Sequence, residues 1–162
     1  MALLQWLFIA TFGSLAAVAL AARIGLLRGR VPADLGVHDG RLKPPSKRPN
    51  SVSSQAGLYP GHPMRDYARI EPFTLLGSGP QTLERIRRAV ERIEGAQVVQ
   101  ATSAYLHVEF ATGLLKLVDD AEFWFDPKAG VVQLRSASRL RRSDLGENRR
   151  RVEAIRATLY AV

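Results

Sequence analysis

The chain opens on an apolar run. Ala2 to Ala22 carries no charged side chain, the first being Arg23. As a helix rising about 1.5 Å per residue, a run of about twenty residues matches a hydrocarbon core of about 30 Å. No polar face interrupts Trp6 to Ala22, so a half-buried helix of a soluble core does not fit. The pattern predicts an uncleaved, single-pass membrane anchor over residues 1–24. A cleavable signal peptide is the rival, because Ala19-Leu20-Ala21 resembles a small-residue cleavage site. It lacks the basic n-region, and the apolar stretch is longer than usual.

Past the anchor the pattern breaks. From Gly29 to about Gly79 the composition shifts to Pro, Gly, Ser and scattered charge, and Pro44-Pro45, Pro49, Pro60, Pro63 and Pro72 forbid a long helix. Residues 25–48 read as a linker and the remainder of the stretch as an arm packed on a domain that spans 49–162. Pro80 after Ser78-Gly79 starts a helix in which Leu83, Ile86, Val90 and Ile93 recur at helical spacing until Gly95. Its outer face is rich in arginine.

Strand periodicity follows. Val98 and Val99 open a strand, after which Ala104, Leu106, Val108 and Phe110 alternate with Tyr105, His107 and Glu109. A second alternation sets Leu115, Leu117, Asp119, Ala121, Phe123 and Phe125 against Lys116, Val118, Asp120, Glu122 and Trp124. The turn Asp126-Pro127-Lys128-Ala129-Gly130 returns Val131 to Ala137 beside it. Ser143 and Asp144 then start a last helix with Val152, Ile155 and Leu159 on its seam. The predicted fold class is α+β: an antiparallel meander of three or four strands packed by two helices behind a transmembrane helix.

Within the strands the polar residues carry the candidate chemistry. Asp119 falls in phase with Leu117 and Phe123, facing the core, whereas Asp120 and Glu122 share the other face with Trp124. A carboxylate among apolar neighbours is costly unless paired. Arg135 and Arg139 across the hairpin are the expected partners of Asp119, with Ser136, Ser138 and Asn148 filling further hydrogen bonds. Asp144 and Arg149 complete the candidate ligand-binding set. The same residues permit a structural salt-bridge network, or a hydrolase or lyase in which Asp119, Asp120 or Glu122 serve as acid and base and Arg135 holds substrate. No Gly-x-Ser-x-Gly elbow and no cysteine is present, and His38, His62 and His107 have no metal-like spacing, so no cofactor or metal is expected. Gly77-Ser78-Gly79 lacks the lysine and preceding strand of a phosphate loop and reads as a helix cap.

This polar string also carries a resemblance. Pro49-Asn50-Ser51-Val52-Ser53-Ser54, Asp119-Asp120, Arg135-Ser136-Ala137-Ser138-Arg139 and Ser143-Asp144-Leu145-Gly146-Glu147-Asn148-Arg149 resemble, in matching order from about Asp34 to the C-terminus, the bacterial and plastid domain of unknown function 1499 family. The resemblance brings no activity. It implies that members are often exported, many with cysteines where Pro45 and Ser51 stand here.

Charge adds a direction. The 23 basic against 15 acidic side chains give +8 at pH 7, yet a tethered chain with few aromatics and no nucleic-acid motif points away from nucleic acid. The expected partners are the membrane, through Ala2 to Ala22, and an anionic lipid or an envelope protein, with Arg135, Arg139 and Arg149 as contacts and Lys43, Lys47 and Arg48 near the bilayer. Arg23, Arg28 and Arg30 behind the helix place the bulk in the cytoplasm by the positive-inside rule. The family resemblance implies export.

Overall fold

A computed structural model describes residues 2–161 of the chain. The apolar run forms helix α1 (Ala2–Arg23). Its stretch Leu4–Arg23 is long and apolar enough to cross a membrane, a property that a signal sequence shares. Trp6, Phe8, Ile9 and Phe12 all lie open on its surface, and at roughly 25 cal/mol per Å² such a surface is strongly disfavoured in water.

Behind it come β1 (Ser51–Ser53), a 3-10 turn (Ala56–Leu58), α2 (Arg65–Ala68), β2 (Phe73–Thr74), α3 (Gly79–Val90), β3 (Ala96–Ala101), β4 (Tyr105–Ala111), β5 (Val118–Asp126), β6 (Val131–Ser138) and α4 (Glu147–Tyr160). The sheet runs β1-β6-β5-β4-β3, with β2 also pairing β6. Every strand pair is antiparallel. The alternation thus located β3 to β6 as a meander. It did not reveal β1 and β2, whose three and two residues are too short to show a period and which exist because β6 offers them a free edge.

Two helix limits also move. Ser78 and Gln81 form a capping box with Pro80 in the first turn, as the sequence pattern implies, but α3 stops at Val90 and leaves Ile93 in the following turn. The last helix begins at Glu147 rather than at Ser143 or Asp144, with Gly146 in the left-handed region at φ 79°. Asp144 acts from outside the helix, its carboxylate accepting the N–H groups of Gly146 and Asn148.

The apolar core lies between α3, α4 and one face of the sheet. Leu83, Ile86 and Val90 from α3 and Val152 and Ile155 from α4 pack on Leu106, Val108, Phe110, Ala121, Phe123 and Leu134. Fully burying each large side chain contributes about 1.5 to 3 kcal/mol. Phe73 meets Phe123 edge-on at 5.9 Å. Asp119 shares this face, as its phase requires.

The opposite face presents His107, Glu109, Asp120, Glu122 and Arg135, all buried. They are buried by the segment that the sequence pattern assigns to a linker. Arg28, Gly36 and Pro44 each bond a side chain of this face, and Leu42 is 1% exposed with its N–H donated to Gln55. The molecule is therefore three-layered: arm, sheet, helices. The β4–β5 loop, the β6–α4 loop and the start of β3 gather at one end of the sheet, the Asp126–Gly130 turn at the other. Arg28 reaches Glu109 and Gly29 sits against Arg139 and Leu140, so α1 leaves from the first end.

Gly95 sits at φ 79°, and a Cβ there would strike the backbone oxygen of Ala111. Gly95→Ala is expected to lower unfolding free energy by about 2 to 3 kcal/mol, read by denaturant titration in detergent. Gly113, with nothing within 4 Å of its Cβ direction, should tolerate alanine within about 0.5 kcal/mol.

Candidate functional site

The polar face of the sheet is built by register. β4 and β5 set His107 opposite Glu122 and Glu109 opposite Asp120, and β5 and β6 set Glu122 opposite Arg135. Arg139, just past β6, lays its guanidinium across this layer. Its Nε donates to Asp120 Oδ2 at 2.7 Å and its Nη2 to Asp120 Oδ1 at 2.6 Å, the same Nη2 reaching Glu109 Oε1 at 2.5 Å. His107 Nε2 lies 2.8 Å from Asp120 Oδ1. Arg28, arriving from the arm, donates to the second oxygen of Glu109 at 2.7 Å. Burial works against the charge on Asp120, but Arg139 and His107 outweigh it and hold its carboxyl below the usual range.

Glu122 is fully buried. Its Oε1 accepts the Tyr105 hydroxyl at 2.8 Å and the Gly36 N–H at 2.6 Å, whereas its Oε2 has no hydrogen-bond partner. Arg135 Nη1 stands 3.7 Å from that oxygen, where two charges attract by about 4 kcal/mol in a medium of effective dielectric about 20. Burial pulls the Arg135 guanidinium below its usual range while Glu122 and Asp120 favour its charged form. Burial and Glu122 together push the Tyr105 phenol up.

Asp119 does not meet Arg135 or Arg139. It receives Arg141 Nη2 at 2.5 Å and Arg151 Nη2 at 3.0 Å on one oxygen, and Arg151 also lies over the Phe110 ring, 4.5 Å from its centroid. The strand phase of Asp119 is core-facing, as expected. The expected partners were on the wrong side: Asp119 pairs with Ser138, so Arg135, three positions earlier, points to the other face. Arg139 continues past the strand on that same far side.

The remaining candidate residues form a separate knot on the helix side. Ser136 Oγ donates to Asn148 Oδ1 at 2.5 Å, and Asn148 Nδ2 donates to Asp144 Oδ2 at 2.8 Å, to Ser138 Oγ and to the Asn50 carbonyl. Asn50 Nδ2 donates to the Arg141 carbonyl at 2.5 Å. Asp144 also accepts the Tyr67 hydroxyl at 2.7 Å. Burial opposes its charge, yet Tyr67, Asn148 and the backbone N–H groups keep it below the usual carboxylate range. Arg149 donates to the carbonyls of Tyr67 and Arg69. The candidate set is thus divided: Asp120, Glu122, Arg135 and Arg139 lie beneath the arm, and Asp119, Ser136, Ser138, Asp144, Asn148 and Arg149 lie at the helix side.

Chemically, the layer beneath the arm is closed. Asp120 is 1% and Glu122 0% exposed, and the cavity of about 470 Å³ nearby is lined by arm residues such as Asp34, His38 and Lys43 rather than by these acids. In this arrangement neither acid is open to solvent or to a substrate. Among the described residues no cluster of His, Asp and Glu is arranged for a metal. The sequence reading missed Tyr105, His107, Arg28, Arg141 and Arg151 as members of these networks. One signal was available: Tyr105, His107 and Glu109 share a phase, as do Asp120 and Glu122, so two neighbouring strands each carry a polar face that some further segment has to cover.

Residues 41–159 match the family model described as Protein of unknown function (DUF1499). No curated protein and no solved structure matches the chain. The matched stretch contains both networks apart from the arm residues Arg28 and Gly36.

Coupling should follow faces. In double-mutant cycles read by denaturant unfolding, Asp119→Leu with Arg151→Met should show an interaction of about 0.5 to 3 kcal/mol, whereas Asp119→Leu with Arg135→Met should add to within about 0.5 kcal/mol.

The depressed pKa values of Asp120 and Asp144 set the direction of the acid response. Their contribution is fully present above the unfolded carboxylate pKa of about 3.9 and is lost as pH falls through the lower folded values. Unfolding free energy measured against pH should hold steady toward neutral and fall below about pH 4. Asp144→Asn should flatten part of that slope.

Proposed function

The chain belongs to the family described as Protein of unknown function (DUF1499), and we propose that it works as a membrane-anchored, non-enzymatic module that binds an anionic or lipidic component of the envelope. One observation carries the non-enzymatic part. The acids and arginines that would serve a hydrolase or lyase are spent on one another and on the arm, with Asp120 and Glu122 almost inaccessible to solvent.

The anchoring part is supported by α1 and by its attachment. An apolar helix of spanning length leads within a few residues into Arg28 and Gly29, which are fixed on the sheet. A short, fastened junction holds the domain close to whatever surrounds the helix. The positive charge that remains outward is then presented to that surface. Arg135, Arg139 and Arg149 are bonded internally, so the binding cations are the exposed ones, such as Arg30, Lys47, Arg48 and Arg142. Each basic side chain near an anionic leaflet is worth about 1 kcal/mol.

Washed membranes holding the full chain provide the test. The protein is expected to resist extraction by alkaline carbonate, and a variant lacking residues 2–23 is expected to float with anionic but not neutral vesicles, the binding falling with salt as the Debye length shrinks. Extraction into the soluble fraction would remove the anchor. Equal, negligible flotation with both vesicles would remove the lipidic partner and leave an envelope protein.

A further inference from the structure

Among the described residues beyond Val31, six large apolar side chains are exposed, the two most exposed being Leu114 at 82% and Leu145 at 83%. Both stand at one end of the sheet, Leu114 in the β4–β5 loop and Leu145 in the β6–α4 loop, with Leu140 at 48% beside them. Three exposed leucines on neighbouring loops are not the scatter of single apolar residues common to protein surfaces.

The backbone adds an independent observation. Outside glycine, positive φ occurs at Asp39, Lys116 and Leu145 among the described residues. An aspartate tolerates that region, but a lysine and a leucine do not do so readily. Lys116 at φ 55° and Leu145 at φ 52° thus occupy positions where glycine would relieve the strain. A bulky side chain kept in such a conformation on an exposed loop points to use of the side chain itself. The two strained residues have complementary chemistry, one apolar and one cationic, and they belong to the same two loops as the exposed leucines.

This end is also the end from which α1 departs, because Gly29 rests against Arg139 and Leu140. Exposed cations belong to the same segments: Arg30 follows Gly29, Lys116 stands in the β4–β5 loop and Arg142 in the β6–α4 loop. Apolar tips within a cationic rim, beside an emerging apolar helix, match the layering of an anionic bilayer surface, where tips enter the acyl boundary and cations meet headgroup phosphates.

We propose that the loop tips Leu114, Leu140 and Leu145, with Lys116, Arg30 and Arg142 around them, form a second membrane contact that seats the domain on the anionic leaflet of the bilayer that α1 spans. This rests on the anchor reading, and it adds an orientation: the sheet stands with its Asp126–Gly130 turn away from the lipid.

The chain has no cysteine, so single cysteines report position directly. Full-length Leu114→Cys, Leu145→Cys, Lys128→Cys and Leu15→Cys chains, each carrying a polarity-sensitive fluorophore, are reconstituted in vesicles of phosphatidylcholine with or without phosphatidylglycerol, with a quencher on the acyl chain. Positions 114 and 145 should be quenched several-fold more than position 128, and more strongly when phosphatidylglycerol is present. Quenching at 15 but not at 114 or 145 overturns the docking and leaves the anchor standing. Absence of quenching at 15 as well overturns the anchor and the docking together. Equal quenching at 114 and 145 in both vesicle types overturns the role of the cations. Leu145→Gly, which suits the left-handed backbone and keeps the loop folded, should reduce quenching at position 114 by about half or more, and an unchanged signal would exclude Leu145 from the contact.

Discussion

An ionised carboxylate in a protein interior persists only where cations and hydrogen-bond donors surround it, and Asp120 shows what that requires here. Its two oxygens are taken by the Arg139 fork and by His107, and the same Arg139 extends to Glu109, which Arg28 meets from the arm. Removing Arg139 would take the shared cation from Asp120 and Glu109 where little water reaches, and breaking a buried pair in this way costs about 3 to 5 kcal/mol. Lifting the arm would strip Glu109 of Arg28, Glu122 of the Gly36 N–H and Arg135 of the Pro44 carbonyl, so the charges of the sheet hold the arm down. That linkage turns a Pro- and Gly-rich segment with no long secondary structure into a fixed layer, and it ties α1 to the domain.

On the helix side the knot around Asn148 obeys the same rule with uncharged donors, which hold the Asp144 carboxylate. Asn148 uses both ends of its amide, accepting from Ser136 and donating to Asp144, Ser138 and the Asn50 carbonyl. Through Asn50 the knot reaches the arm, through Ser136 and Ser138 the sheet, and through Asp144 the start of α4. The segments that resemble the family motifs are thus the places where three layers of the fold are tied to one another. Their chemistry is hydrogen-bond satisfaction in the interior, which accounts for polar residues in positions where an apolar core would otherwise form. The two networks occupy the buried arginines, while Arg30, Lys47, Arg48 and Arg142 stay on the outer surface.

Much of the architecture was legible in the sequence. The apolar run from Ala2 to Ala22, the capping signal at Ser78, the alternation through β4 to β6 and the core phase of Asp119 all follow from periodicity and local preference, which act over a few residues. The meander itself follows from short turns. The strands β1 and β2 were not legible, since a segment of two or three residues carries no period and forms only where a neighbouring edge receives it. The late start of α4 at Glu147 goes with Asp144, outside the helix, whose carboxylate accepts the N–H groups of Gly146 and Asn148, and the end of α3 at Val90 goes with the turn that leads to Gly95 at φ 79°.

What the sequence determined by itself was composition on faces: which residues of a strand point together, where charge accumulates, and which run suits a bilayer. Tertiary structure alone decided the pairing. Asp119 took Arg141 and Arg151 in place of Arg135 because a hairpin register fixes the side on which each residue emerges, and one position of difference reverses it. Likewise, only the folded chain brought Arg28 and Gly36 onto Glu109 and Glu122, across separations of 81 and 86 residues. Charge complementarity identifies acids and bases that need partners, but many pairings satisfy it equally well; the choice among them belongs to the geometry of sheet, arm and helix, which no local pattern encodes.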